Sequence, residues 1–351
     1  MITEELVREK LQTVNYPGFS RDIVSFGLVK SIEVKGNDVE VQLSIATREP
    51  KVPQEIHENA QKALGSIDGI GNVSLNFDIK EPAQPVVGGD PSVGQSSIPG
   101  VKKIIAVASG KGGVGKSTVS VNLAVSLAQT GAKVGLCDCD LYGPSVALMV
   151  GKEDAQPMAT EDNEIVPIEA HGIKTISMGY LLQEDSAVIV RGPLATRYIQ
   201  QFLRQSLWED LDYLILDLPP GTGDIQLTIS QTVAVDGAII VTTPQEVALI
   251  DARKASAMFR KVNIPILGLV ENMSWFECAH GERYDIFGHG GGTVEANRLG
   301  VPLLGEIPLD VHTRERADSG VPVCLMPDEE SPVSAAFSKL AKAVREKVPV
   351  S

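Results

Sequence analysis

The sequence predicts an α/β protein in which a small α+β domain precedes a larger domain with a mostly parallel, doubly wound sheet. Three observations support this fold class. A glycine-rich segment at residues 110–118 follows an apolar run at 103–109. Strand-like runs and helix-like stretches then alternate along the chain, which is typical of a parallel sheet covered by helices on both faces. Residues 81–100 are rich in Pro, Gly and Ser and divide the two parts.

The first 80 residues read as a helical start, two strands, a second helix and a last strand. The two strand-like runs flank Gly36, Asn37 and Asp38, residue types that favour a turn. Hydrophobic spacing predicts a helix near 1–12, strands at 26–35 and 39–47, a helix at 53–64 and a strand at 73–79.

The stretch 81–100 (EPAQPVVGGDPSVGQSSIPG) has no hydrophobic periodicity, and its composition is typical of a flexible linker. We therefore predict a small α+β domain at 1–80, a linker at 81–100 and the larger domain at 101–351. Motion between the two domains is expected.

Residues 110–118 (GKGGVGKST) have the spacing of a phosphate-binding loop. Glycines let backbone N–H groups converge on phosphate oxygens, the lysine reaches the β- and γ-phosphates, and the serine hydroxyl ligates Mg²⁺. A helix-like stretch at 119–129 follows, so strand, loop and helix come in the required order. The pattern predicts binding of a nucleoside triphosphate and Mg²⁺ by Gly110, Lys111, Gly112, Gly113, Val114, Gly115, Lys116, Ser117 and Thr118.

Polar residues follow several of the later strand-like runs, which lie at 133–137, 213–216, 237–242 and 265–270, with helix-like stretches near 193–206, 225–232 and 246–261. Asp217 closes one strand, where a carboxylate would lie beside the phosphate loop and hold Mg²⁺ through water; helix capping is the alternative. Asp138, Asp140 and Asn272 follow other strands. From residue type alone, an Asp-x-Asp turn such as Asp138–Asp140 is more often a solvated loop, and Asn272 is equally compatible with a turn.

Composition indicates an intracellular enzyme. The formal charge of −14 gives a field that repels nucleic acid. The chain has no run of about 18 apolar residues, and its start lacks the apolar stretch of a signal peptide. Four cysteines in 351 residues do not make a disulfide framework, as expected in a reducing compartment. We expect a cytoplasmic protein that binds neither nucleic acid nor membrane.

The loop GKGGVGKST resembles the deviant phosphate loop of the MinD/ParA group of P-loop ATPases. In that group the lysine equivalent to Lys111 acts in trans, in a dimer that holds ATP between its subunits. Longer segments resemble the Mrp/ApbC iron–sulfur cluster carriers; they are 138–145 (DCDLYGPS), 191–193 (RGP), 217–224 (DLPPGTGD), 270–274 (VENMS) and 285–292 (DIFGHGGG). The resemblance covers about residues 100–350 and implies a P-loop NTPase that works as a homodimer.

The resemblance also assigns roles to single residues. It implies that Asp140 orients the attacking water, that Asp138 supports the Mg²⁺ shell and that Asn272 contacts adenine. Lys111, Lys116, Asp140 and Asp217 are then the predicted catalytic residues, and Ser117, Asp138 and Asp217 the predicted Mg²⁺ residues.

The number and spacing of the cysteines bear on whether the chain can bind an iron–sulfur cluster. The family's cluster site is a Cys-x-x-Cys after the Asn-Met-Ser segment, so that two subunits supply four thiolates to a [4Fe–4S] cluster. This chain has Cys278-Ala-His280 instead. Two copies could offer two thiolates and two imidazoles, whereas a loop cysteine without a ligand role is the alternative. Cys137, Cys139 and Cys324 read as core or loop fillers, and His289 as part of a glycine-rich turn before a helix at 293–299.

Two further segments limit what the resemblance implies. The N-terminal domain resembles a module found in iron–sulfur assembly factors, but the stretch 47–53 (TREPKVP) lacks the cysteine that relatives often have there. At the other end, residues 331–348 form an amphipathic helical pattern. A helix packed on the sheet is favoured over a MinD-like membrane-targeting helix, because its apolar residues are mostly small.

The resemblance implies a cytoplasmic ATPase that dimerises around ATP and Mg²⁺, and that binds iron–sulfur clusters and transfers them to apoproteins. Two alternatives stay open at this point. One is an ATPase partner in cluster assembly that holds no cluster itself, which the missing cysteine favours. The other is a MinD/ParA-type positioning ATPase.

Overall fold

Two units make up the part of the chain that the structure, a computed structural model, describes. The described residues are 2–17, 22–47, 51–80, 96–160, 162–181 and 192–350, and the units contain chiefly residues 2–80 and 96–350. Most of the predicted linker, residues 81–95, and Arg191 of the RGP segment lie outside the described residues.

The N-terminal unit is a three-stranded sheet with two helices. Its elements are α1 (Glu4–Leu11), β1 (Val29–Lys35), β2 (Asp38–Ala46), α2 (Lys51–Gly65) and β3 (Val73–Lys80). β2 lies in the middle, antiparallel to β1 and parallel to β3. Alternate residues of β2 are buried, as are residues four apart on α2, so one face of the sheet and one stripe of the helix form the core. The predicted α+β domain is therefore observed.

The larger unit contains a sheet of nine described strands with helices between them. Its elements are β4 (Val101–Ser109), α3 (Lys116–Gln129), β5 (Val134–Asp138), α4 (Val146–Met149), β6 (Ile168–Ala170), β7 (Ile173–Ile176), α5 (Gly192–Arg204), β8 (Leu211–Asp217), α6 (Asp224–Thr232), β9 (Gly237–Thr242), α7 (Glu246–Lys261), β10 (Ile266–Glu277), β11 (Arg283–Tyr284), α8 (Gly291–Leu299), β12 (Leu303–Leu309), α9 (Val311–Asp318) and α10 (Pro332–Lys347).

The sheet order is β11-β10-β9-β4-β8-β5-β7-β6, with β12 also beside β10. All neighbours are parallel except the β6–β7 and β10–β11 pairs. The central strands are almost continuously apolar and buried, as strands covered on both faces must be. Because the strands run parallel, Ser109, Asp138 and Asp217 meet at one edge of the sheet, and the mostly parallel, doubly wound fold is confirmed.

Residues 96–100 lie against this unit. Ser96 forms a bridge with Val233, its hydroxyl contacts Arg204, and Ile98 is buried. The last five residues of the predicted linker stretch are thus anchored next to β4.

Helix α10 packs against the sheet. Ser331 caps its N-terminus by accepting a hydrogen bond from the Ser334 N–H, 3.1 Å away, and Pro332 begins the helix. Its apolar stripe, Val333, Phe337, Leu340, Ala341 and Val344, is fully buried. That packing is the arrangement favoured above over a membrane-targeting helix. Among the described helices, none is both long and apolar enough to cross a membrane.

Candidate functional site

The phosphate loop joins β4 to α3 at the centre of the sheet. Gly113 and Gly115 have φ of +80°, a left-handed conformation that glycine adopts without strain. Gly115 also has no room for a side chain, since a Cβ there would lie 2.1 Å from Asn272 Nδ2. No side chain caps the start of α3. Its first backbone N–H groups are therefore available to an anion.

Lys116 is the first residue of α3, and its ammonium is buried beside Asp217. Lys116 Nζ lies 2.6 Å from Asp217 Oδ1, and the two side chains are 6% and 0% exposed. Ser120, one turn further along α3, donates a hydrogen bond to the same oxygen over 2.7 Å. The Ser117 hydroxyl lies 3.1 Å from Lys116 Nζ. The structure thus brings together three residues predicted from the sequence and adds Ser120.

Asp217 Oδ2 is buried and accepts no hydrogen bond from any described residue. A buried carboxylate oxygen without a partner is costly. It fits a site in which a cation, or water bound to that cation, supplies the missing contact. This oxygen is the observation by which the site fits Mg²⁺.

Asp138 lies directly beside Asp217, since the two are register partners on β5 and β8. Its oxygens accept hydrogen bonds from the Asp140 N–H (3.1 Å), the Val146 N–H (3.3 Å) and the Ser177 hydroxyl (2.8 Å). Burial, and then the charge of Asp217, raise the pKa of the Asp138 carboxyl to about 7. Through the hydrogen bonds from Asp140 and Val146, Asp138 organises the loop that carries Asp140.

Asp140 begins the loop after β5 and is partly buried. The N–H groups of Tyr142 and Gly143 donate to its carboxylate. Burial raises the pKa of Asp140, and the nearby Lys116 charge opposes that rise. The side chain is therefore held next to the phosphate loop by its own turn.

Lys111 differs from Lys116, because its side chain is partly exposed and forms no hydrogen bond or ion pair with any described residue. Its backbone carbonyl accepts a hydrogen bond from the Ser109 hydroxyl over 2.9 Å, which fixes the turn. Gly110 beside it lies so close to α7 that a Cβ would be 2.1 Å from the Asp251 carbonyl carbon. The backbone at 109–111 is thus fixed, while the Lys111 ammonium group stays accessible.

Asn272, at the end of the β9-paired part of β10, is buried and donates from Nδ2 to the Val114 carbonyl over 2.9 Å. It therefore supports the phosphate loop. Its predicted contact with adenine stays a prediction.

Cys278 lies in the tight turn between β10 and β11. The Cys278 N–H donates to the Glu282 carbonyl, and the Gly281 N–H donates to the Cys278 carbonyl, both over 2.9 Å. Cys278 is partly exposed and His280 is exposed. Within the described part of a single chain, no group of three or more His, Cys, Asp or Glu could hold a metal ion. A complete ligand set here would need groups beyond the described residues of one chain.

The remaining cysteines and His289 fit structural roles. Cys137, Cys139 and Cys324 are buried, and burial raises the pKa of the Cys324 thiol to about 12. His289 lies 3.3 Å from Asp285 in the glycine-rich turn that leads into α8. That turn is fixed by Glu271, which accepts a hydrogen bond from the Gly292 N–H.

Three residues near the site were not predicted: Ser120, Ser177 and Glu271. Ser177 directly follows β7, and a polar residue at the carboxyl end of a parallel strand is a signal for the site. That signal was missed because β7 is only four residues long. Ser120 could have been found from its position four residues after Lys116, on the same face of α3.

Two segments of the chain match family models of known proteins. Residues 100–345 match the family model described as NUBPL iron-transfer P-loop NTPase, and residues 4–75 match the model described as iron–sulfur cluster assembly protein. An iron–sulfur cluster carrier protein from Deinococcus radiodurans is 47% identical over 97% of this chain and 94% of its own length. One from Synechocystis is 43% identical over 99% of this chain and 98% of its own.

Solved structures resemble the larger unit. A nucleotide-binding protein from Archaeoglobus fulgidus in complex with ADP has a TM-score of 0.58 and 38% identity, covering 66% of this chain and 92% of its own. The cell division ATPase MinD from Pyrococcus furiosus has a TM-score of 0.54 and 26% identity, covering 70% of this chain and 98% of its own.

Proposed function

This chain belongs to the NUBPL iron-transfer P-loop NTPase family, and on that premise we propose that it is an ATP-hydrolysing carrier of iron–sulfur clusters. It binds ATP with Mg²⁺, dimerises around the nucleotide, and passes a cluster bound at the Cys278 turn to apoproteins. The ATPase proposal depends chiefly on one observation: the Lys116–Asp217 pair lies beside a phosphate loop whose following helix has no side-chain N-cap.

The nucleotide part assigns one task to each group. The loop N–H groups and Lys116 hold the β- and γ-phosphates. Ser117 and Asp217 hold Mg²⁺, which neutralises charge that develops during phosphoryl transfer. Asp140 orients the attacking water. The Asp138 carboxylate fixes the position of Asp140 by accepting a hydrogen bond from the Asp140 backbone N–H.

The accessible ammonium group of Lys111 supports the proposal that the chain acts as a dimer. Its ammonium is accessible and has no partner among the described residues, although its backbone is fixed. A lysine held this way can reach a nucleotide bound by a second copy and stabilise transferred charge there, as a trans-acting arginine does in other NTPases. Hydrolysis then depends on assembly.

The proposed iron–sulfur cluster site is centred on Cys278. Thiolates are the preferred protein ligands of iron–sulfur clusters, and Cys278 is the one partly exposed cysteine of the four. Two copies facing each other supply two thiolates, with the two exposed His280 imidazoles as further nitrogen ligands. Because each chain supplies so few ligands, the cluster is held weakly enough to be released to an apoprotein with a complete thiolate set.

Anaerobic reconstitution with iron and sulfide tests the carrier proposal. We expect the wild-type dimer to bind iron and sulfide with the visible absorbance of a cluster, and Cys278→Ser to lose both. Cys324→Ser is the matched control and should retain the cluster, because that thiol is buried in the core. His280→Ala should bind a cluster that is lost faster.

A second function is favoured by the single cysteine of the turn: an ATPase partner in cluster assembly that holds no cluster. Absence of iron from the reconstituted wild type, together with intact ATP hydrolysis, would support that function and exclude the carrier. A cluster that survives Cys278→Ser would exclude the proposed ligand.

A further inference from the structure

Strand β10 connects the phosphate loop to the Cys278 turn. The Asn272 side-chain amide donates a hydrogen bond to the Val114 carbonyl, 2.9 Å away, and Gly115 packs directly on the same amide. One residue earlier, Glu271 accepts a hydrogen bond from the Gly292 N–H at the start of α8. The strand is therefore fixed from two sides immediately before its last third.

Met273, the residue after Asn272, has φ of +56°. Methionine rarely adopts this left-handed conformation, which persists only where the surroundings impose it. The strand is irregular here: its register with β12 runs from Asn272↔Ile307 to Phe276↔Leu309, so β10 takes four steps where β12 takes two. Residues 273–275 thus form a bulge, and bulges re-aim the chain that follows them.

Beyond the bulge, the strand continues as the hairpin that carries Cys278. Phe276 and Glu277 pair with Tyr284 and Arg283, and the Arg283 guanidinium lies 4.2 Å from the centre of the Trp275 ring. Strand pairing and this cation–π contact hold residues 275–284 together. A change of backbone conformation at Met273 would move the turn as one piece.

We propose that the Met273 bulge is a pivot that couples nucleotide occupancy of the phosphate loop to the position of Cys278. Phosphate binding draws the loop amides inward and shifts the Val114 carbonyl. Asn272 follows that carbonyl, and the strained residue beside it changes conformation and re-aims the turn. The biological use of the coupling rests on the proposed cluster carrier function, but the coupling itself exists without a cluster.

The reactivity of the Cys278 thiol measures the coupling, because the other three cysteines are buried. The reaction of the wild-type protein with the disulfide reagent DTNB is followed with and without Mg·ADP, and ADP binding is measured in parallel by calorimetry. We expect ADP to change the Cys278 rate by about fivefold or more, a typical size for coupling between sites. The ratio should not depend on protein concentration, since the effect arises within one chain.

Two substitutions separate the pivot from general backbone strain. Met273→Gly removes the strain and should reduce the ADP effect to less than about twofold, with ADP binding retained. Asn263→Gly is the matched control: Asn263 has φ of +59° in the loop after α7, and its substitution should leave the full ADP effect. Met273→Leu retains a side chain that disfavours the left-handed conformation; it should keep the ADP effect and verifies that position 273 accepts substitution.

The outcomes distinguish the inference from the proposed function. Absence of ADP binding would contradict the nucleotide site itself. ADP binding without a change in Cys278 reactivity would overturn the pivot alone. A ratio that grows with protein concentration would assign the effect to assembly, and an undiminished ratio in Met273→Gly would remove Met273 from the coupling; either result also overturns the proposal.

Discussion

The phosphate-loop site and the Cys278 turn differ in how completely one chain builds them. At the phosphate loop, Lys116, Asp217 and Asp138 are almost fully buried, and each is held by at least two partners. At the turn, Cys278 is partly exposed, His280 is exposed, and Cys278 itself is held through backbone hydrogen bonds. The side chains of the first region are organised before the proposed nucleotide binds, whereas at the proposed cluster site a second chain or a recipient would have to provide the remaining ligands. Preorganisation suits catalysis, and an incomplete ligand set suits a cargo that must leave.

The largest effect is expected from the buried ion pair. Lys116→Ala should abolish ATP hydrolysis and weaken ATP binding, because the main positive charge on the phosphates is lost. It should also lower the free energy of unfolding by about 3–5 kcal/mol, since Asp217 is left buried without its counter-charge. Phosphate release, calorimetry and denaturant unfolding measure the three quantities.

The double variant Lys116→Ala/Asp217→Asn is the control for stability. It should recover most of the unfolding free energy, because no buried charge remains unpaired, but none of the activity. Wild-type ATP affinity in Lys116→Ala would contradict the assignment of the phosphate loop.

The next largest effect concerns the accessible lysine. Lys111→Ala should bind nucleotide as a monomer but lose ATP-dependent dimerisation, with hydrolysis reduced about a thousandfold, as for other trans-acting cations. Light scattering and phosphate release check this. Mixing it with Lys116→Ala chains sharpens the test, because a mixed dimer can assemble at most one complete site. Undiminished hydrolysis in Lys111→Ala would mean that one chain completes the catalytic site unaided.

A smaller effect is expected at Ser177, which acts through Asp138 and is therefore a positioning residue. Ser177→Ala removes the hydroxyl that holds Asp138 and should lower kcat about tenfold with little change in KM for ATP. Ser177→Thr retains the hydroxyl and should restore kcat. Equal losses in both variants would indicate a packing role only.

The smallest effect is a pH dependence of stability. The pKa of Asp138 is raised to about 7 in the folded protein, above its ordinary value. The stability that comes from the protonated form is therefore present at low pH and lost as pH rises through about 7. The Ser177 hydrogen bond opposes this rise in pKa. Ser177→Ala should thus cost about 1 kcal/mol more unfolding free energy near pH 8 than near pH 5, as urea titrations without nucleotide would show. An equal cost at both pH values would disconnect Ser177 from the ionisation of Asp138.

Much of the fold was predictable because its signals are local. The strand at 237–242 and the helix at 246–261 coincide with β9 and α7, since continuous apolar runs and helical spacing identify them. The short elements β6, β7, β11 and α4 were not predicted, because two to four residues carry no measurable periodicity. α3 begins at Lys116, three residues before the predicted start, since the loop glycine Gly115 serves as its N-cap.

The sequence by itself determined the P-loop NTPase family, the phosphate loop and the carboxylates that follow the strands, because fixed spacing within one segment is sufficient to specify them. Only the tertiary structure decided which groups meet: Lys116 with Asp217, Ser177 with Asp138, and Asn272 with the Val114 carbonyl. It also placed the left-handed Met273 between the nucleotide loop and Cys278. The physical reason is that these contacts join residues far apart in sequence, and that backbone strain at one residue is imposed by the packing of its neighbours rather than by its own side chain.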